Sequence, residues 1–272
     1  DRSTVLRHRA RAARIGGDRF LAHEAAEGIA DRLAAVNRPF QRGLSVDGRE
    51  KLNARITDWT DINLEDSDAL SVERESFDLA VSVLSLHAVN DLPGVLTQIR
   101  RALKPDGLFL GALFAGETLF ELRDSFAAAE FEITGGVSPR VAPFADVRDL
   151  GSLLQRAGFA LPVADVERTT VLYREFGSLT RDLRVHGETN ALHERNRNPL
   201  SRATLAAMLA HYSAHHAEPD GRLRATFDIV YLTGWAPHES QPQPLKPGSA
   251  RSRLADALGA VERPAGEKVR HD

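Results

Sequence analysis

FDLAVSVLSLHAVNDLPGVLTQIRRALKPDGLFLGALF, residues 77–114, is the stretch that decides the fold. Residues 77–86 form a nearly continuous apolar run of strand length, which favours a strand buried on both faces of a sheet. Asp91 can cap a helix that follows, and the Lys-Pro-Asp-Gly sequence of residues 104–107 has the turn chemistry that ends it. Residues 108–114 then return to an apolar strand. This order predicts a right-handed crossover between parallel strands, and hence an α/β fold.

Residues 85–89 follow the first of these strands and therefore mark a candidate ligand site. In open α/β sheets, ligands bind in the crevice outside the carboxyl ends of the strands. Ser85 and His87 are candidate ligand-binding residues on this ground, and His87 is also a candidate base. A histidine that follows a strand is more often a packed structural residue, so both interpretations of His87 stay open.

Residues 77–107 resemble the second half of a class I S-adenosylmethionine-dependent methyltransferase domain. Later motifs resemble a narrower group, the mitochondrial complex I assembly factor 5 family and its bacterial relatives. The resemblance covers most of the chain, and the later motifs are its specific part. These motifs are Gly116-Glu117-Thr118-Leu119, Gly135-Gly136-x-Ser138-Pro139, Pro143-Phe144, Arg156-Ala157-Gly158-Phe159 and Gly234-Trp235-x-x-His238-Glu239-Ser240-Gln241.

The resemblance implies a Rossmann-like class I methyltransferase fold, with a mostly parallel sheet, helices on both faces and an antiparallel C-terminal edge. It also implies S-adenosylmethionine as the cofactor. Asp66, with Ser67 beside it, matches the acidic segment whose aspartate accepts a hydrogen bond from the adenine amino group, although a solvated turn explains the same residues. Ser82, Ser85 and His87 match the region that holds the methionine end of the cofactor.

On the substrate side, the resemblance implies roles for Ser138, Arg140, Trp235 and His238, each of which could instead belong to a tight turn. The implied partner is a subunit of respiratory complex I or another protein substrate. The implied location is the cytoplasm of a bacterium, or the mitochondrial matrix of a eukaryote.

The stretch between Phe40 and Phe77 is too short for a complete cofactor site. It contains no G-x-G-x-G sequence, and only 36 positions lie between the two residues. The strands, helices and loops that the fold needs here would take roughly 50 residues. Either the natural protein carries a longer segment with a glycine loop, or the site has been lost. We favour the first explanation because the motifs downstream are intact.

Composition limits the classes of function and the division into domains. The 272-residue chain has a net charge of −3, which gives no basic field for nucleic acid, and it has no cysteine for disulfides or thiolate metal sites. No apolar run reaches the roughly 18 residues of a membrane span. We predict a helical lead-in over residues 1–39, a methyltransferase-like domain over 40–236 with a helical insertion around 176–216, and a loose tail over 237–272.

Two clusters of basic residues have alternative interpretations. The first seventeen residues contain five arginines, which we interpret as a solvated helix face rather than an anion-binding arm or a targeting remnant. His211, His215 and His216 have the spacing of metal ligands on one helix, but no carboxylate shares that face. The sequence therefore predicts no metal site. The five arginines are Arg2, Arg7, Arg9, Arg11 and Arg14.

Two functions from different classes follow from the resemblance. The first is a methyltransferase-family enzyme that acts on a protein or a small molecule, linked to complex I assembly through methylation or arginine hydroxylation. The second is a non-catalytic assembly chaperone that has kept the fold and binds a respiratory-complex subunit through the region after Gly135. Methylation of a carrier-bound acid, a third possibility, has no support in the motifs after Gly116.

Overall fold

The protein is described by a computed structural model over residues 1–48, 52, 56–64, 68–242 and 259. The strands are β1 (Arg42–Val46), β2 (Asp58–Ile62), β3 (Phe77–Val83), β4 (Leu103–Ala115), β5 (Ala160–Tyr173) and β6 (Leu223–Trp235). The α-helices are α1 (Arg2–Ile15), α2 (Phe20–Ala34), α3 (Leu92–Ala102), α4 (Phe120–Thr134), α5 (Val147–Arg156), α6 (Phe176–Val185) and α7 (Arg202–His215).

The six strands form one sheet in the order β2-β1-β3-β4-β6-β5. The first four pair in parallel, whereas β6 runs antiparallel to both β4 and β5. Parallel strands require crossover connections, and α3 provides the one between β3 and β4. The predicted α/β fold, with its antiparallel C-terminal edge, is confirmed.

Helices cover both faces of the sheet, as the continuous apolar strands require. Apolar side chains of α2, α4, α6 and α7 form one core with Leu79 and Tyr231. Those of α3 and α5 form the other core with Ala80 and Val230. Neighbouring strand residues thus point into opposite cores, and the central strands are buried from both sides.

The deciding segment, residues 77–114, forms the predicted crossover with two differences. Asp91 caps α3 by accepting a hydrogen bond from the Gly94 N–H at 2.9 Å. However, β3 ends at Val83, and a short 3₁₀ turn (Leu86–Ala88) follows it. The predicted turn at residues 104–107 lies within β4 as an irregularity, because the backbone of Asp106 pairs with Ala236 beyond β6.

The short stretch before Phe77 contains two strands, β1 and β2, which pair in parallel. Its described residues contain no helix, in keeping with its short length. Asp66 and Ser67 lie outside the described residues, so their predicted cofactor contacts stay predictions.

The chain divides into two compact units, Asp1–His238 and Glu239–Asp272. The predicted division at residues 39 and 236, and the loose tail, stay predictions. Among the helices of the described residues, none combines the length and apolar character that crossing a membrane requires.

A substitution at Gly28 of α2 would test how closely this helix packs on the sheet. A Cβ atom at Gly28 would lie 2.5 Å from Cζ of Tyr231, whose buried ring is also covered by the Arg32 guanidinium. Replacing a helical glycine by alanine normally stabilises a helix by about 1 kcal/mol. For Gly28→Ala we expect the opposite, a loss of about 1–3 kcal/mol in the free energy of unfolding measured with urea, because the ring has no room to move.

The matched control is Gly151→Ala in α5, where the new Cβ would make an ordinary contact of 3.7 Å with Ala164. It should be neutral or stabilising. A stabilising Gly28→Ala variant would show that α2 does not pack against β6 in this way.

Candidate functional site

A cavity of about 330 Å³ opens at the carboxyl ends of β3 and β4, where the sequence predicted a ligand site. Its walls come from the turn after β3, from the end of β4, from residues 140–144, and from the end of α6 with the loop that follows it. The lining side chains that matter for its chemistry are His87, Phe114, Arg140, Phe144, Arg184 and Glu188.

His87 lies in the wall of this cavity with both ring nitrogens engaged. Its Nε2 lies 3.1 Å from Oε2 of Glu188, and its Nδ1 accepts a long hydrogen bond, 3.4 Å, from the Phe114 N–H. An Nδ1 that accepts must be unprotonated, so the pattern assigns the proton to Nε2, which donates to the Glu188 carboxylate. His87 therefore orients Glu188 and does not offer a free lone pair as a base.

Aromatic rings form the apolar part of the cavity wall beside His87. The ring of Phe114 lies 5.0 Å from the imidazole and that of Phe144 lies 6.2 Å from it, centroid to centroid. Only 6% of the His87 side chain is exposed. A partly desolvated carboxylate, Glu188, thus faces a pocket with aromatic walls, an arrangement that suits a cationic group.

Glu130 holds the loop after α4 by accepting hydrogen bonds from Ser138 and Arg140, the two predicted substrate-side residues of this region. Its carboxylate accepts hydrogen bonds from the Ser138 N–H at 2.6 Å and from Nε of Arg140 at 2.7 Å. Burial alone raises the pKa of Glu130, but these hydrogen bonds outweigh burial and hold the pKa below its ordinary value. Of the two, Arg140 lines the cavity, with its charge already paired.

The turn after β4 is fixed by Asp228 of β6. Its carboxylate accepts a hydrogen bond from the Glu117 N–H at 2.9 Å and two from Arg168, at 2.7 and 2.9 Å. Burial raises the pKa of Asp228, but the bonds from Arg168 and Glu117 outweigh it and lower that pKa. Gly116 makes this approach possible, because a Cβ there would lie 2.8 Å from the carboxylate. The turn leads into α4, whose Leu122 lines the cavity.

Ser82 and Ser85 are fully buried, and their hydroxyls donate hydrogen bonds to backbone carbonyls at the end of β1. Ser82 donates to the Val46 carbonyl at 2.9 Å, and Ser85 donates to the Asp47 carbonyl. Both serines therefore fix the carboxyl end of β1 beside β3. Their predicted contacts with a cofactor stay predictions.

The carboxyl end of β1 is covered by α1 through an ion-pair cluster. The Asp47 carboxylate, 4% exposed, accepts a hydrogen bond from Nη2 of Arg2 at 2.9 Å and another from Arg9. Arg2 also donates to the Leu64 carbonyl at 2.7 Å. The interpretation of these arginines as a solvated face is wrong for Arg2, whose side chain is 2% exposed, because Asp47 compensates its desolvation.

Two buried polar groups near this end of the sheet have unused hydrogen-bonding capacity. Nε and Nη1 of Arg2 have no partner among the described residues, and neither does Oδ1 of Asp68. The other oxygen of Asp68 accepts from the N–H groups of Asn90 and Asp91, at 2.7 and 3.1 Å. Buried donors and acceptors without partners often mark a ligand or water position.

Other residues of the same stretch of α1 contact the cavity wall. His8 and Arg11 hydrogen-bond to Thr189 at 3.1 Å each, and Arg195 reaches Asp1 at 3.1 Å. Asp1 and Thr189 both line the cavity. One helix thus links the end of β1 to the loop that carries Glu188.

Trp235 and His238 are not brought to this cavity. Trp235 pairs with Leu108, near the start of β4, whereas the cavity lies beside Phe114 near its end. Trp235 lies instead near the guanidinium of Arg38, 5.8 Å from its ring. Since β6 runs antiparallel to β4, its last residues must lie at the opposite edge of the sheet from Arg140. Trp235 and His238 thus lie away from the cavity that Arg140 lines, and their predicted substrate-side roles stay predictions.

Glu188 and Arg184 were missed from the sequence. Both lie at or beyond the end of α6, in an ordinary polar stretch with no motif. Only the packing of α6 beside the carboxyl ends of the strands brings them into the cavity. Asp47 was missed as well, although an acidic residue directly after a buried strand was a usable signal.

A family model described as "Methyltransferase domain" matches residues 12–162. The protein named "Arginine-hydroxylase NDUFAF5, mitochondrial" from Danio rerio is 39% identical over 262 residues, which is 87% of this chain and 81% of that protein. The protein of the same name from Homo sapiens is 44% identical over 207 residues, 75% of this chain and 59% of that one.

Among solved structures, a protein from Bacillus halodurans C-125 with a provisional methyltransferase assignment superposes with a TM-score of 0.50 at 13% identity. The match covers 77% of this chain and 97% of that one. At this identity, the likeness concerns the fold.

The Asp47 cluster predicts a pH-dependent contribution to stability. Burial alone raises the pKa of Asp47, but the charge and hydrogen bond of Arg9 and those of Arg2 outweigh it and hold the pKa below its ordinary value. A carboxyl group with a lowered pKa stabilises the fold above its unfolded pKa of about 4, and this stabilisation is lost as the pH falls through the folded value. Asp47→Asn should cost about 3 kcal/mol at pH 7, because it leaves the buried Arg2 unpaired.

Urea unfolding of the parent protein and of Asp47→Asn at a series of pH values measures the difference in their free energies of unfolding. It should be constant down to about pH 5 and shrink below about pH 4. Asp61→Asn, an exposed change in the neighbouring strand, should show neither effect. Equal stability of Asp47→Asn and the parent protein at pH 7 would contradict the role of this cluster.

Proposed function

Because this chain belongs to the methyltransferase-domain family that includes the arginine-hydroxylase NDUFAF5 proteins, we propose that it is an S-adenosylmethionine-dependent enzyme of complex I assembly. Its acceptor is an arginine side chain of a protein. The observation that carries this proposal is the pairing of Glu188 with His87 inside a cavity that has aromatic walls.

The cavity suits a guanidinium better than an anion. Glu188 supplies a carboxylate that is 19% exposed, and the rings of Phe114 and Phe144 line the same cavity, where aromatic rings favour a cation. Of the arginines that line the cavity, Arg140 is neutralised by Glu130, and Arg184 is exposed to solvent. A guanidinium is planar and donates in pairs, so one carboxylate can both bind it and fix its orientation.

In this proposal, Glu188 binds the acceptor and His87 positions Glu188. The Nε2–H of His87 holds one carboxylate oxygen of Glu188, and both residues line the cavity. Alignment of the reacting atoms and exclusion of water supply most of the catalysis in methyl transfer. The proton that the guanidinium nitrogen loses when it accepts the methyl group would pass to the Glu188 carboxylate, so the step does not require His87 as a base.

In this proposal, the buried groups without partners bind the polar ends of the cofactor. Nε and Nη1 of Arg2 would hold its carboxylate, and Oδ1 of Asp68 would accept from one of its amino groups. When bound, S-adenosylmethionine supplies an activated methyl group on a sulfonium. These contacts do not depend on a glycine-rich loop, which the given sequence between Phe40 and Phe77 does not contain.

Calorimetric titration with S-adenosylmethionine and S-adenosylhomocysteine tests the cofactor assignment. We expect a dissociation constant of about 10 μM, an ordinary value for a small ligand held by a few charged contacts. Arg2→Lys keeps a cation for Asp47 but loses the forked donors, so it should bind about tenfold or more weakly. Arg14→Gln, on the same helix and exposed, should bind as the parent does. Absence of binding to the parent protein would overturn the enzymatic proposal.

Glu188→Gln tests the acceptor assignment. With arginine-containing peptides from complex I subunits as substrates, the variant should lose about 10–100-fold in kcat/KM, because a charge-assisted hydrogen bond to the acceptor is lost. Mass spectrometry of the peptide distinguishes an added methyl group from an added oxygen atom. Glu194→Gln, six residues on and 78% exposed, is the control and should be fully active. Equal activity of Glu188→Gln and the parent would refute the role of this carboxylate.

A second candidate function, an assembly chaperone that has kept the fold, is favoured by a different observation. Arg2 and Arg9 close the carboxyl end of β1 over Asp47, where the cofactor would approach. In addition, Phe131 and Val137, on either side of Gly135, are 69% and 61% exposed, and such apolar side chains suit a protein partner. A chaperone would co-purify with a complex I subunit without binding S-adenosylmethionine.

A further inference from the structure

We propose that Asp124, His211 and His216 form a binding site for a divalent transition metal of the Zn²⁺ class, which joins α4 to α7. The sequence predicted no metal here, because the histidines of α7 share their own face with no carboxylate. The structure supplies the carboxylate from the neighbouring helix, α4.

The ligand atoms of these three residues all lie within 4.8 Å of one another. Oδ2 of Asp124 lies 2.8 Å from Nε2 of His216 and 4.0 Å from Nδ1 of His211. Ligand atoms about 2.1 Å from a tetrahedral zinc ion lie about 3.4 Å apart, which is between these two distances. Small rotations of the side chains would therefore bring the three atoms into a coordination shell.

The donor set selects the class of metal. Two imidazoles and one carboxylate suit Zn²⁺, Co²⁺ and Ni²⁺, whereas Mg²⁺ and Ca²⁺ prefer oxygen ligands alone. His216 also caps the C-terminal end of α7, where the partial negative charge of the helix favours a cation. The carboxylate of Asp124 adds a full negative charge to the site.

The surroundings of the three residues support positioned ligands. Nδ1 of His211 lies 3.3 Å from the hydroxyl of Ser125, a contact that a metal ion at this nitrogen would replace, while the hydroxyl keeps its hydrogen bond to the Glu121 carbonyl of α4. The ring of Phe120 meets that of His216 edge-on at 5.6 Å. Such neighbours limit the orientations of a ligand side chain, as they do around metal-binding histidines generally.

A metal at this position would fix one wall of the cavity. Leu119 and Leu122, at the start of α4, line the cavity described above. Asp124 lies on the same helix, two residues beyond Leu122. A bound ion would thus hold this wall to α7 without entering the cavity.

Calorimetric titration of the chelator-treated full chain with ZnCl₂ and MgCl₂, together with the melting temperature at each metal concentration, tests this site. We expect one Zn²⁺ per chain, a rise in melting temperature on zinc binding, and no response to Mg²⁺. Asp124→Asn and His216→Gln should each weaken zinc binding more than about tenfold, because even the loss of a residue behind a ligand costs that much.

His215→Gln is the matched control. His215 lies next to His216 in sequence, and its ring centroid lies 4.3 Å from that of His211, but it does not belong to the three-residue set. It should bind zinc as tightly as the parent, and circular dichroism should show all variants folded. Failure of the parent to bind one Zn²⁺, or equal binding by Asp124→Asn, would overturn the proposal; so would a loss in His215→Gln as large as that in His216→Gln.

Discussion

The arrangement of the site depends on one buried carboxylate, that of Asp228. It joins β6 to the turn after β4 through the Glu117 N–H, and it is held in turn by two hydrogen bonds from Arg168 of β5. Three consecutive strands of the antiparallel edge are thereby tied to the start of α4. Since α4 forms a wall of the cavity and carries Asp124, both candidate sites take their geometry from this contact.

The fold was predictable because its signals are local. In residues 77–114, the apolar run, the cap at Asp91 and the return to an apolar strand all agree with the crossover that the structure shows. The differences arise where distant strands intervene. Asp106 belongs to a turn sequence, yet pairing with Ala236 draws it into β4, and no local pattern contains that information.

The site was predictable only in part, for the same reason. His87 follows a strand, and ligands of open α/β sheets bind outside the carboxyl ends of strands, so the sequence alone predicts its place in the site. Glu188 reaches the cavity through the packing of a helix about 100 residues later, so its position depends on tertiary contacts alone. Trp235 belongs to a specific motif that the sequence analysis did identify. The motif does not show at which end of the strands Trp235 lies, because that depends on the direction of β6.

Charged residues were the least predictable element. An arginine-rich helix is usually solvated, but Arg2 is buried because an acidic residue 45 positions away compensates its charge. The histidines of α7 likewise lacked a carboxylate only within their own helix. The environment of a charged residue depends on contacts between different helices and strands. Sequence periodicity describes one helix or strand at a time, so it does not predict these contacts.

The attachment of α1 has a consequence for motion. Through Arg2 and Arg9 the helix covers Asp47, and through His8 and Arg11 it holds Thr189 in the loop that carries Glu188. A rigid helix that moves away must break both contacts, so the two regions share one opening equilibrium, and hydrogen exchange at both would proceed at a common rate. Any ligand that favours the open position at one of these two contacts would then also increase access at the other, which is thermodynamic coupling between two binding regions through a single rigid element.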